Sequence, residues 1–256
     1  MEVLLFISVL PSIILGWYIY KKDKLEKEPT SLLIKLLFGG LGSVILTLII
    51  SGIILAFFPM FEDYTDLESI GIFIYAFIVV ALVEELSKWV FLKLMTWKNK
   101  EFGHIYDAIV YAVFVSLGFA TVENIIYVFS GGFMTGVMRA ILSVPGHAFF
   151  GVFMGYYYGI AKKHEIINEN NKTKKYLFLS VLVPAILHGT FDFCLMLGNI
   201  LLLIGYLIFV IFLYIYAFKT VKKVASIHTK LYARFCTRCG TKAYSNYCPN
   251  CGNKII

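Results

Sequence analysis

The sequence predicts an all-α polytopic membrane protein of about seven transmembrane helices in a bundle, followed by a small C-terminal zinc ribbon. Three observations predict it. First, the 256 residues are 59% hydrophobic and only 15% charged, with a mean hydropathy of +0.80. A soluble domain is about half apolar and a quarter charged. Second, the apolar residues fall in runs long enough to cross a bilayer, which takes about 20 residues. Third, the composition turns polar after Lys223, and four of the five cysteines follow in two CxxC pairs.

The apolar segments in order are Glu2–Tyr20, Ser31–Pro59, Gly71–Trp97, Ile105–Phe129, Val137–Ala161, Tyr176–Leu197 and Ile200–Phe218. The first has no basic region before it and no small-residue cleavage site, so it reads as a retained helix rather than a signal peptide. Gly39, Gly40 and Gly42 in the second suit close helix packing. Pro145 and Pro184 interrupt the fifth and sixth, each a few residues before a histidine, which suggests local reshaping around a site. The Tyr156-Tyr157-Tyr158 run reads as an interfacial aromatic belt.

The connections alternate in charge. Lys21–Glu28 holds four lysines, Phe61–Ser69 is purely acidic, and Lys98 and Lys100 follow the third segment. Ser130–Gly136 is neutral, Lys162–Lys175 holds five lysines, Gly198-Asn199 is bare, and Lys219, Lys222 and Lys223 close the last segment. Lysine-rich connections lie on the cytoplasmic side, so the N-terminus is expected outside and the C-terminus inside a prokaryotic cell membrane. The net charge of +7 thus belongs to membrane topology, and no nucleic-acid partner is expected. The expected organisation is a transmembrane domain over 1–223, a linker over 224–233 and a cytoplasmic ribbon over 234–256.

In the ribbon, Cys236 and Cys239 are followed by Gly240, and Cys248 and Cys251 by Gly252. Two CxxC knuckles at this spacing supply four thiolates for one tetrahedral zinc. A reducing cytoplasm disfavours the alternative of two disulfides. With four sulfurs the zinc has no open position, so its role is structural, or a docking role toward a cytoplasmic partner. Cys194 in the sixth segment reads as packing.

The segment Glu84-Glu85-Leu86-Ser87-Lys88 lies in the middle of the third apolar run. One charge at the centre of a spanning helix costs roughly 2.5–3.5 kcal/mol, and such groups usually face a polar interior and mark function. Glu84 and Lys88 are four apart and suit a structural ion pair, which leaves Glu85 unexplained. Glu84 and Glu85 lie about 100° apart around a helix, so one is free to face water while the other faces the scaffold. Further polar groups occur at Glu123, four residues after Phe119, at His147, and at His188 with Asp192 one turn later. A carboxylate at that spacing can orient an imidazole. Together these residues can activate a water and stabilise an oxyanion, and two histidines with a carboxylate equally make a zinc set. No cofactor is assigned to this intramembrane site.

The ordered set of EExxK (Glu84, Glu85, Lys88), FxxxE (Phe119, Glu123), a single histidine (His147) and HxxxD (His188, Asp192) resembles the PrsW family of intramembrane proteases. That family is related to the CAAX prenyl endopeptidases of the Abi or CPBP superfamily. Lys27-Glu28-Pro29, Asp107 to Tyr111, Gly118-Phe119-Ala120 and Glu123-Asn124 match as well, so the resemblance covers roughly residues 15 to 195. It implies a helical bundle with its site between the third and sixth helices. It implies that Glu84 or Glu85 activates water and that His147 and His188 stabilise the transition state. Glu123 stands where CAAX endopeptidases carry a histidine, and Asp192 where they often carry an asparagine. The implied partners are membrane protein substrates in a lipid bilayer, and the implied role is stress signalling by the first cut in a membrane-spanning anti-sigma factor. The other functions compatible with buried Glu, His and Asp are a proton-coupled transporter and a non-catalytic scaffold or sensor.

Overall fold

The molecule is organised around its most deeply buried helix. In the computed structural model, which describes residues 1–23, 27–226, 231, 234–243 and 247–254, that helix is part of α5. The elements are α1 (Glu2–Lys22), α2 (Thr30–Phe57), α3 (Ser69–Ile74), α4 (Val83–Thr96), α5 (Ile105–Ile141), α6 (Ser143–Ile166), α7 (Asn170–Met196) and α8 (Ile200–Ser226). Between α3 and α4 the chain stays helical but widens to π winding over Tyr75–Leu82. Two short strands, β1 (Arg234–Phe235) and β2 (Lys242–Ala243), pair antiparallel beyond α8.

Among the described residues, six helical stretches are long and apolar enough to cross a membrane. One of them, Ile105–Ile166, runs for 62 residues and contains two of the seven expected segments. It turns back on itself at Gly132, whose φ of 80° and ψ of −170° are not helical. That backbone conformation favours glycine, since a Cβ there is strained. The two arms run antiparallel, because a Cβ at Gly151 would meet Ser116, one at Gly155 Ala108 and Ile109, and one at Gly159 Ile105. The outer surface carries large exposed apolar side chains such as Phe38, Leu48, Leu201 and Phe212. Water does not tolerate such a surface in bulk, and a bilayer requires it. The protein is an integral membrane protein.

The start of α5 is fixed by its own sequence. Asp107 accepts from the amides of Gly103 at 2.8 Å and His104 at 2.7 Å, a carboxylate cap at the positive end of the helix. From Ala108 to Val113 every residue is fully covered, as expected of a helix apolar on all sides. The second helix reaches α5 backbone to backbone. A Cβ at Gly40 would strike Val115 O and the Phe119 amide, and one at Gly118 would strike Leu37 O. This close approach presses Phe119 and Glu123 toward α4.

The lysine-bearing ends meet at one end of the bundle. Tyr106 donates to Ile19 O, Lys162 to Trp97 O, and the Leu231 amide to Gly103 O. Several details differ from the sequence reading. Pro145 sits in the first turn of α6, where its missing amide leaves no broken bond, so it starts the helix instead of kinking it. Tyr158 is fully covered and its hydroxyl lies 3.0 Å from Thr96 Oγ1, so it belongs to the core and not to an interfacial belt. The five-lysine connection is mostly helix, because α6 and α7 leave only residues 167–169 between them. The last helix continues to Ser226, past the expected linker start. Lys24 and Glu26 of the first connection, linker residues 227–230 and 232–233, and ribbon residues 244–246 and 255–256 lie outside the described residues.

Candidate active site

The charged pair of α4 enters the bundle just after the π-wound turns. Such turns shift the phase of a helix and recur at functional sites. Glu85 and Lys88 are fully covered and Glu84 is nearly so. The Lys88 ammonium lies 2.7 Å from Glu85 Oε1, 3.3 Å from Glu84 Oε2 and 3.1 Å from His147 Nδ1. It also stands 4.1 Å above the Phe119 ring, a favourable place for a desolvated cation. An ammonium only donates, so His147 Nδ1 accepts and the neutral ring carries its proton on Nε2. That nitrogen donates to Glu123 Oε2 at 2.8 Å.

His188 is held at both ends. Its Nδ1 lies 3.0 Å from Glu85 Oε1 and its Nε2 3.2 Å from Asp192 Oδ2. The ring stacks on Phe150 at 4.9 Å and stands edge-on to His147 at 5.1 Å. Thus α4, α5, α6 and α7 bring together all seven residues expected of the intramembrane constellation: Glu84, Glu85, Lys88, Glu123, His147, His188 and Asp192.

The two adjacent glutamates are not equivalent. Glu84 lines a cavity of about 400 Å³, together with Glu123, His147, His188, Asp192 and Arg139. Glu85 is fully covered and does not line it. Tyr64, Tyr75, Tyr127 and Tyr206 also line it, among mostly apolar neighbours. One ligand atom from each of Glu84, Glu85, His147 and His188 lies within 4.8 Å of the others. These donor types and distances suit a metal ion, which would take over contacts that the Lys88 ammonium now makes with Glu84, Glu85 and His147.

The sequence leaves Arg139 two places, the membrane interface or the site, and the structure puts it at the site. Its guanidinium lies 2.9 Å from Glu123 Oε2, donates from Nε to Asn124 Oδ1 at 3.0 Å, and covers the Tyr127 ring at 4.2 Å. Asn124 in turn donates to Ser8 O on α1. The signal in the sequence was the combination of Glu123-Asn124, the glycines at 131 and 132, and a basic residue at mirrored distance beyond them.

At the other end of the chain, Cys236 Sγ lies 3.5 Å from Cys251 Sγ and Cys239 Sγ 3.4 Å from Cys248 Sγ. All four sulfurs fall within 4.8 Å of one another. Zn–S bonds of ~2.3 Å in a tetrahedron put sulfurs about 3.8 Å apart, so the knuckles have the right size. Gly240 and Gly252 adopt φ of 70° and 68°, the left-handed turns such knuckles need. Cys194 is partly buried against the bundle core.

The chain matches the description "PrsW family intramembrane metalloprotease" over residues 27–218. A "Protease PrsW" of Clostridioides difficile (strain 630) is 39% identical over 213 residues, covering 80% of this chain and 85% of that protein. A "Protease PrsW" of Bacillus subtilis (strain 168) is 34% identical over 226 residues, covering 86% of this chain and 95% of that protein. No solved structure matches the chain significantly. With the family matched over most of its length and its bundle closed around the paired glutamates, the chain belongs to the PrsW family of intramembrane metalloproteases.

Proposed function

We propose that this protein is an intramembrane endopeptidase that cuts membrane-spanning or membrane-associated proteins, with Glu84 as the base that activates water. The observation that carries the assignment is the asymmetry of the pair: Glu84 faces the cavity, while Glu85 is locked behind it by Lys88 and His188. A water in the cavity gives a proton to Glu84 as its oxygen attacks the peptide carbonyl carbon. The carbonyl becomes an oxyanion, which the cationic and N–H groups of the cavity wall, His188 foremost, stabilise. Collapse breaks the C–N bond, and Glu84 returns the proton to the leaving amine. Asp192 holds His188, and Glu123 holds His147 in the tautomer that leaves Nδ1 unprotonated. Lys88 holds Glu85 in place.

Glu84, Glu85, His147 and His188 would hold a divalent metal. Such an ion would supply Lewis-acid polarisation of the carbonyl and a more acidic water. Charge favours this set. Four carboxylates (Glu84, Glu85, Glu123, Asp192) face two permanent cations (Lys88, Arg139), and two further positive charges, on protons or on one divalent ion, are needed for balance. Cys236, Cys239, Cys248 and Cys251 bind a structural zinc, which stabilises a segment too small for an apolar core. The lysine-bearing end of the bundle faces the cytoplasm, which places the ribbon there beside any docking partner. Single-pass proteins of the anti-sigma class are the first substrates to test.

The experiment compares N-terminal peptides of membrane proteins, by mass spectrometry, in cells carrying wild type or Glu84→Gln at equal abundance. Fragments found only with wild type support the assignment. Indistinguishable profiles under several stresses refute it.

A further inference from the structure

The first two helices pack on α5 but leave a groove between them. It is apolar, encloses about 550 Å³, and is walled by Val9, Ile13 and Trp17 of α1 and Ile34 and Leu41 of α2, with α5 from Leu117 to Ile125 as its floor. None of the catalytic constellation lines it. From Val9 to Tyr20 the α1 wall rises eleven residues, roughly 16 Å. That is close to half of the ~30 Å hydrocarbon core, the depth of one leaflet.

The groove is charged at one end only. Lys21 Nζ lies 4.6 Å over the Trp17 ring and Lys27 Nζ 4.8 Å over the Tyr20 ring, and both rings line the groove. Asp23 and Glu28, the described carboxylates of the same connection, are only 4% exposed, so the exposed charges among its described residues are lysines. Burial also pushes the Glu28 carboxyl up to about 8, with Asp107 adding to the effect, which removes a negative charge near neutrality. The opposite end, at Val9, Leu41 and Ile125, is apolar.

We propose that this groove is a binding site for an anionic phospholipid, its acyl chain along α1 and its phosphate between Lys21 and Lys27. The shape selects the ligand: one leaflet deep, apolar along its body, cationic at its head. A membrane-spanning partner helix is ~10–12 Å wide and ~30 Å long, and the groove holds only a fraction of it. Basic pockets between helices at the cytoplasmic side suit anionic headgroups, each lysine adding favourable attraction. The floor belongs to the helix that carries Phe119 and Glu123, so a seated lipid braces α5 from behind. The assignment stands whether or not the chain cuts peptides.

Trp17 reports on the groove directly. The full-length protein is placed in phosphatidylcholine nanodiscs containing equal fractions of dibrominated phosphatidylglycerol or dibrominated phosphatidylcholine. Trp17 quenching is the difference between wild type and Trp17→Phe. The expected result is roughly thirtyfold tighter apparent binding of the brominated anionic lipid, from two lysines at the headgroup. That preference should fall to near equality in Lys21→Gln/Lys27→Gln and weaken at high salt. Equal quenching by both lipids in wild type overturns the proposal, as does a preference that survives the double lysine variant. No quenching by either lipid assigns the groove to another occupant, such as a protein segment, and overturns it too.

Discussion

Replacing Lys88 by methionine tests the central contact of the site. The methionine keeps most of the side-chain volume and removes the ammonium. In the wild-type protein that ammonium is fully covered and lies within 3.3 Å of two carboxylate oxygens and within 3.1 Å of His147 Nδ1. Its loss leaves Glu85 fully buried, without the ammonium and with the His188 ring as its remaining contact. Removing one partner of a buried ion pair costs about 3–5 kcal/mol. At about 2–4 °C per kcal/mol for a chain of this size, the melting midpoint should drop by roughly 6–20 °C. The assay is tryptophan fluorescence of the detergent-solubilised protein, heated at one fixed scan rate because membrane proteins often unfold irreversibly. The double variant Lys88→Met/Glu85→Gln removes both charges and should recover much of the loss, since contacting partners are not additive. A drop below about 3 °C for the single variant, or a double variant whose losses simply add, would refute the view that Lys88 and Glu85 form a mutually dependent buried pair.

Three further outcomes follow from other parts of the molecule. Arg139→Gln should slow peptide cleavage about 10–100-fold, the usual effect of losing an outer support of a functional histidine. Arg139→Lys should recover part of that rate, and Arg139→Gln should add little in a Glu123→Gln background, whereas additive losses would mean Arg139 acts elsewhere. Glu28 is held from its reference value of 4.5 up to about 8 chiefly by burial. Its stabilising contribution is full below pH 4.5 and is lost as pH rises through 8. Accordingly, Glu28→Gln should match wild type in thermal stability at pH 5 and exceed it at pH 9; equal midpoints at pH 9 would rule this out. Replacing Cys236 and Cys251 by serine should unfold the ribbon while the bundle keeps its midpoint. Protease sensitivity beyond Ser226 and the melting curve read the two parts separately, and a shared transition would show that they fold as one.

The sequence carried the parts of this structure that depend on local cost. Charges in the middle of apolar runs are expensive, so Glu84, Glu85, Lys88, Glu123, His147, His188 and Asp192 stood out, and the bundle brings all seven together. Spacing put Asp192 one turn beyond His188, and the structure joins them. What sequence left out depends on contacts distant along the chain. Nothing local in Tyr75–Leu82 announces π winding, since any apolar helix former fits it. Arg139 near a helix end looks free either to reach the interface or to face the site, and the reversal at Gly132 decides between them by carrying it back beside Glu123. Tyr158 looks amphipathic beside two other tyrosines, yet Thr96 offers it a partner inside. Pro145 reads as a break until Leu142 is seen to end the preceding helix.

The asymmetry between Glu84 and Glu85 explains why two adjacent carboxylates belong in a membrane helix at all. A single cavity-facing glutamate needs a fixed cation nearby, or it would stay protonated in so apolar a setting. A lysine free to approach it would form a closed pair and block its use. Here the second glutamate resolves the conflict. Glu85 takes the shorter contact with Lys88, at 2.7 Å, and leaves Glu84 the longer one, at 3.3 Å. The ammonium therefore lends positive potential to Glu84 while being held from behind by Glu85. His188 of α7 is held from behind by the same Glu85 on one nitrogen and by the cavity-lining Asp192 on the other. Glu84 and His188 both face the cavity and both are tied to the buried Glu85–Lys88 pair, so the cost of burying that inner pair is what keeps the outer groups in position.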